Sequence, residues 1–244
     1  MKTLIIVPAG DDSLHTTWSL EPYYNSIVNL FVVYYGTPRT EQKYKSTYYL
    51  EKQGAKWTII KAAILYLGPI IYSYDYIWIP DDDLAFLGSN RPAKLSYIVE
   101  KYNLLCSQPA LTGYITHSRL SQIPSSKDDV IYSYFVEIMC PLFEINFFKE
   151  VVYNLIVQND SQSGWGYDFV WSYIIDTQYS PDRIGIINSC PVVHTRKPHK
   201  VNEGFYKKFN IDPFKELNLC KRKYKIPRGL KVHNIEEFVS KRKS

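Results

Sequence analysis

The residues that decide the fold are Tyr76-Ile77-Trp78-Ile79-Pro80-Asp81-Asp82-Asp83-Leu84. Four strand-favouring side chains run into a proline and then into three consecutive carboxylates, which predicts a buried strand ending abruptly where negative charge is concentrated. In an open α/β sheet, ligands gather beyond the carboxyl ends of the strands. Carboxylates two positions apart at such an end can share a divalent cation through hard oxygen ligands. The competing interpretation is a solvated acidic turn, and the apolar Leu84, Ala85, Phe86 and Leu87 directly downstream argue against it.

Toward the N-terminus, residues 4–7 are a short apolar run closed by Pro8-Ala9-Gly10, which reads as a first buried strand with a tight turn at its carboxyl end. Residues 30–35 read as a second strand, stopped by Gly36-Thr37-Pro38. Ile60, Ile64 and Leu67 recur at helical spacing and predict a helix over 56–67, with Lys56 and Trp57 at its start. The order strand, strand, helix, strand is that of a doubly wound sheet whose ligand loops open on one edge. Downstream, Ser89 or Asn90 is placed to cap a helix with Leu95, Ile98, Val99 and Tyr102 inward, and residues 104–111 read as a strand. Residues 118–129 read as a polar loop and 146–155 as a helix capped by Asn146. A late strand is expected over 183–188; beyond Pro198 the chain turns polar and basic, with a short helix expected over 235–241.

Two further acids stand out. Glu137 is the one charged residue in the stretch 132–143, where a carboxylate is costly unless paired or facing a ligand. A salt bridge at a strand edge and a ligand-facing role both accommodate it. Asp168 follows Gly164-Trp165-Gly166-Tyr167 and falls in the first turn of a helix. Glycines permit close backbone approach, the Trp face can stack on a sugar ring, and the helix start is expected to keep Asp168 ionised. An ordinary helix-start acid is the alternative.

Composition bounds the class. The 244 residues are 45% hydrophobic and 22% charged, an ordinary globular balance long enough for a full core. The net charge of +5 comes largely from clusters at 221–225 and 241–243, so the body gives no support to nucleic-acid binding. Cys106, Cys140, Cys190 and Cys220 are scattered without a C-x-x-C pair and read as reduced packing residues of an intracellular, cytoplasmic protein. No apolar run approaches the ~20 residues of a membrane span, and none is expected.

In order, Pro-Ala-Gly at 8–10, Lys56-Trp57, the acidic strand end, Ser-Gln-Pro-Ala-Leu at 107–111, Val-Glu-Ile-Met-Cys-Pro at 136–141, Gly-Trp-Gly-Tyr-Asp at 164–168 and the late His194 resemble the GT-A fold glycosyltransferases. The resemblance is greatest to the domain-of-unknown-function family 707, which is grouped with them, and covers residues 4–198. It implies an α/β, Rossmann-like GT-A fold: a central mixed, mostly parallel sheet flanked by helices, in one domain over 1–198, with 199–244 a basic C-terminal extension. It also implies a Mn²⁺ or Mg²⁺ ion bridging a nucleotide diphosphate, with Asp81 and Asp83 as ligands and His194 completing the set. Asp81, Asp82 and Lys56 then belong to the nucleotide site. Val7, Pro8 and Ala9, on the same sheet edge, are expected to line the nucleoside pocket. The partners implied are a nucleotide-sugar donor, by resemblance UDP-linked, and a glycan or glycoprotein acceptor.

The Gly-Trp-Gly segment is similar to that of β-1,4-galactosyltransferases, where a following acid is the base. This points to Asp168 as the base of an inverting transfer, with Glu137 the alternative base or an acceptor-binding group. Two other classes stand beside this one. A sugar nucleotidyltransferase would call for a Gly-rich basic phosphate loop near the first strand, and Pro8-Ala9-Gly10-Asp11-Asp12 is not basic. A non-catalytic carbohydrate-binding protein would use the Trp and Tyr residues without metal.

Overall fold

The apolar run near the N-terminus becomes a central strand, β1 (Lys2–Ala9), buried along its length after Lys2. Continuous burial on both faces is the mark of a parallel strand covered by helices on each side. The computed structural model describes residues 1–37, 46–115, 117–198, 200–201 and 203–227. The helix expected over 235–241 and the basic cluster at 241–243 lie outside the described residues.

From β1 the chain passes to β2 (Ile27–Tyr34), β3 (Tyr48–Glu51), α1 (Lys56–Leu67), β4 (Tyr76–Trp78), β5 (Leu84–Phe86) and α2 (Pro92–Lys101). It continues through β6 (Cys106–Gly113), β7 (Val130–Tyr132), β8 (Leu142–Glu144), α3 (Ile145–Phe147), a π-helical stretch (Phe148–Val152) and α4 (Tyr153–Val157). The last elements are α5 (Tyr167–Gln178), β9 (Ile184–His194), α6 (Gly204–Lys208) and α7 (Pro213–Lys223). Among the described residues the strands form one mixed nine-stranded sheet in the order β3-β2-β1-β4-β8-β6-β9-β5, with β7 on β9. The β3-β2-β1-β4 half is parallel, and β8 enters antiparallel between β4 and β6.

The sheet places the site. From β1 the chain moves outward to β2 and β3, and then α1 carries it back to β4 on the other side of β1. The strand order thus reverses at β1 and β4, and a crevice is expected beyond their carboxyl ends, where Gly10 and Asp81 lie. Helix α1 spans the residues its periodicity predicts and buries Trp57, Ile60, Ile64 and Leu67.

Several boundaries differ from expectation. Pro8 and Ala9 do not turn but continue β1, in register with Val33 and Tyr34 of β2. Helix α2 starts after Arg91, with Pro92 at its first position, where the missing N–H costs nothing. Glu144, not Asn146, caps α3; its carboxylate accepts the N–H groups of Asn146 at 2.9 Å and Phe147 at 3.0 Å. The late strand extends through an irregularity opposite Pro109 and ends at His194. The short strands β3, β5 and β7 carry too little periodicity to be read from the chain. Among the described residues no helix is long and apolar enough to cross a membrane.

Candidate functional site

The acidic strand end is held by backbone bonds from three directions. The Asp81 N–H donates to Met139 O at 2.9 Å, Leu14 N–H to Asp82 O at 2.7 Å, and Thr195 N–H to Asp83 O at 3.1 Å. With the backbone fixed, the three carboxylates diverge to different partners. Asp81 pairs with the Lys56 ammonium at 2.6 Å. Lys56 also donates to the carbonyls of Ile138 at 2.8 Å and Met139 at 2.5 Å. Asp82 ties the ends of β1 and β4 together, accepting the Gly10 N–H at 2.9 Å and the Tyr35 hydroxyl at 3.1 Å, with Arg196 at 3.5 Å. Arg196 donates as well to the carbonyl of Asp12.

Asp83 meets His194, with Oδ2 3.2 Å from Nε2 and both side chains buried. Strands β5 and β9 bring them together, because Leu84 pairs with His194. Nδ1 of His194 lies 2.7 Å from the carbonyl of Tyr114, and a carbonyl only accepts, so Nδ1 carries the proton. A neutral ring in that tautomer turns a lone pair at Nε2 toward a carboxylate oxygen, an arrangement that calls for a cation between them, a proton or a metal ion. Burial pulls the imidazole pKa down, but the hydrogen bond and charge of Asp83 outweigh it and the net shift is upward. The other oxygen of Asp83, Oδ1, is buried without a hydrogen-bond partner, which a carboxylate does not bear without cost. An imidazole nitrogen and hard carboxylate oxygens suit Mn²⁺ or Mg²⁺, ions that commonly complete their shells with substrate phosphates and water. Among the described residues no three His, Cys, Asp or Glu side chains converge, so Asp83 and His194 form a two-residue donor set while Asp81 is engaged by Lys56.

Asp168 sits in the first turn of α5, buried at 8% exposure, with Oδ1 accepting the Phe169 N–H at 3.0 Å. The helix start does favour the ionised form, but it does not keep the pKa in the usual carboxylate range. Burial first, and the charge of Glu137 second, push its pKa up to about 7 against the N–H groups of Phe169, Gly166 and Asp168 itself. Glu137 lies on the loop between β7 and β8. That loop is pinned by the Glu137 N–H on buried Gln108 at 2.7 Å and by Trp171 of α5, whose Nε1 donates to Val136 O at 2.9 Å. The charge of Glu137 thus reaches Asp168.

The glycines beside Trp165 make room for protein. A Cβ on Gly164, at φ +74°, would fall inside the indole of Trp57, and one on Gly166, at φ +103°, would lie 2.8 Å from Cβ of Cys220 on α7. Trp165 donates Nε1–H to the Tyr206 hydroxyl at 3.1 Å and meets the ring of Phe214 edge-on at 5.2 Å. Val7, Pro8 and Ala9 are fully buried within β1, with their backbone in register with Val32, Val33 and Tyr34 of β2, so the end of the strand that is free for a ligand begins at Gly10. Arg196, Tyr206 and Glu216 are residues that the sequence did not single out. Arg196 follows His194 closely enough to be suspected, but nothing local marks a tyrosine or a glutamate in a basic tail.

A family model described as "Protein of unknown function (DUF707)" matches residues 45–225. No functionally curated protein matches the sequence. Among solved structures, GalNAc-T7, crystallised with UDP, GalNAc and Mn²⁺, is similar over 100% of this chain and 54% of its own, with a TM-score of 0.58 at 12% identity. The present chain thus spans about half of that protein. A Drosophila β1,4-galactosyltransferase 7 mutant, crystallised with manganese, UDP-Gal and xylobiose, superposes at a TM-score of 0.44 with 16% identity, over 86% of this chain and 78% of its own. The fold is that of the GT-A glycosyltransferases.

Proposed function

From the premise that the chain belongs to the DUF707 family and has the GT-A fold, we propose that it is a metal-dependent glycosyltransferase that moves a sugar from a UDP-linked donor to a glycan hydroxyl with inversion. The observation that carries this reading is the buried Asp83–His194 pair, with its unbonded carboxylate oxygen, next to the strand ends where the sheet order reverses. GalNAc-T7 was crystallised with UDP and Mn²⁺, and the donor set here suits the same ion.

Asp83 and His194 would hold the metal, with Asp81 beside them on Lys56. A divalent ion bound there would neutralise the charge that develops on the leaving diphosphate. Lys56 and Arg196 add fixed positive charge beside the acidic strand end, and the nucleoside contacts the turn at Gly10 that follows the buried Val7, Pro8 and Ala9. Asp82 holds the Gly10 turn in place for that contact. The acceptor oxygen attacks the anomeric carbon from the face opposite the diphosphate. As the new C–O bond forms, the bond to the diphosphate breaks with its electron pair, and the hydroxyl proton passes to Asp168. A carboxylate with a pKa near 7 is well matched to that task at neutral pH. Glu137 holds an acceptor hydroxyl in this reading, and its charge raises the pKa of Asp168.

The test is a panel of nucleotide sugars with Mn²⁺, followed by release of free nucleotide diphosphate. One UDP-sugar is expected to be hydrolysed slowly, and Asp83→Ala to abolish Mn²⁺-dependent UDP binding with the thermal transition retained. Calorimetry giving the same UDP affinity with and without Mn²⁺ overturns the metal site. Stronger inhibition by GDP than by UDP overturns the choice of nucleotide.

A further inference from the structure

Glu216 and Cys220 stand one helical turn apart on α7, so they share a face, and that face meets the Gly-Trp-Gly loop. The Glu216 carboxylate accepts four hydrogen bonds from the loop: Ser161 Oγ at 2.8 Å, Gln162 N at 3.1 Å, Ser163 N at 2.9 Å and Ser163 Oγ at 2.5 Å. Charge-assisted bonds of this kind are about twice as strong as neutral ones. One turn on, Cys220 fills the space in front of Gly166, the residue from which α5 starts. On the other flank, Tyr206 of α6 accepts the indole N–H of Trp165. Residues 161–166 are therefore gripped along their length by a segment far away in sequence.

We propose that Glu216 is a positioning residue, a carboxylate clasp that fixes the loop 161–166 and thereby sets the aim of Trp165 and the shelter of Asp168. The inference rests on the reading of Asp168 as the base. The groups that interact with Asp168 are Glu137 from the β7–β8 loop, Cys220 from α7 and the N–H groups of Gly166, Asp168 and Phe169. Of these, Cys220 and Gly166 are the ones the clasp holds against each other. Opening it admits water above the carboxyl and leaves Glu137 where Gln108 and Trp171 hold it.

The experiment titrates the ¹³C-labelled carboxyl of Asp168 by NMR in the parent chain and in Glu216→Gln, and measures Mn²⁺-dependent UDP affinity in both. A glutamine removes the charge that assists all four bonds and turns its NH₂ toward at least one backbone N–H donor, and so loosens the clasp. The Asp168 midpoint is expected to fall by at least ten-fold in proton affinity, with UDP affinity within two-fold of the parent. An unchanged midpoint overturns the proposal. A loss of UDP affinity matching the loss of the midpoint also overturns it, since Glu216 would then support the whole fold rather than the loop. Should Glu216→Gln fail to fold, Ser163→Ala, which removes one donor to the clasp, is judged by the same criterion. Absence of UDP binding in the parent refutes the glycosyltransferase reading, and the titration still decides the clasp.

Discussion

At Asp168 three backbone N–H groups favour the ionised carboxyl, burial and the charge of Glu137 oppose it, and the balance lies near pH 7. Transfer is therefore expected to rise with pH through an apparent pKa near 7 and then level off, and Asp168→Asn to lose ~10²- to 10⁴-fold in kcat with UDP affinity retained. A pH–rate profile of both proteins checks this. The same shift has a stability consequence. An unfolded Asp titrates near ~3.9, so between about pH 4 and 7 the native state keeps a proton that the unfolded state has released, and stability falls as pH rises across that window. Asp168→Asn removes that liability. It should be more stable than the parent at pH 8, by on the order of 1.4 kcal/mol for each pKa unit of the shift, and equal to it below about pH 4. Urea unfolding at the two pH values is the measurement.

Among the elements, the loop leading into α5 shows how a turn and a core wall can be one structure. Gly164 is in the left-handed region and lies against the indole of Trp57, whose own ring packs on Tyr167 at 5.3 Å and Trp171 at 6.2 Å. A methyl group there meets both a strained φ and a filled space. Gly164→Ala is expected to lower stability by about 2–4 kcal/mol, the sum of left-handed strain and overpacking. A denaturant midpoint unchanged from the parent would show that Trp57 moves aside freely. Glycines of this kind look in sequence like openings for a sugar, because a missing side chain leaves the same mark whichever neighbour takes its place.

Across the whole molecule, one large apolar core includes residues from the first strand to Ile226 near the end of the described chain, and a small second cluster of Ala55, Tyr206 and Ile211 packs against Trp165. The four cysteines are free and buried at separate points of the molecule. Burial drives the thiol pKa upward in each of them, to about 12 for Cys190 and Cys220. A thiol reagent at pH 8 should accordingly find no reactive group in the native protein and four in denaturant. Reaction of one thiol ahead of the others in native buffer would reveal a part of the core that opens independently.

What the sequence determined by itself are the features written in local pattern: the buried strand ending in carboxylates, the helix over 56–67, the α/β order and, through the motif string, the GT-A resemblance. Periodicity and propensity act between neighbours in the chain, so they survive in one dimension. Tertiary structure alone decided that Asp83 meets His194 while Asp81 meets Lys56 and Asp82 binds the Gly10 turn, since consecutive side chains are sorted by whatever lies on each side of the strand end. It decided the protonation of Asp168 as well, because desolvation and the charge of Glu137 depend on three-dimensional proximity. It also decided that Glu216 and Tyr206, in a polar and basic stretch without local signal, hold the loop beside the candidate base. Hydrogen bonds and Coulomb interactions are set by distance in space, and the chain order carries no record of it.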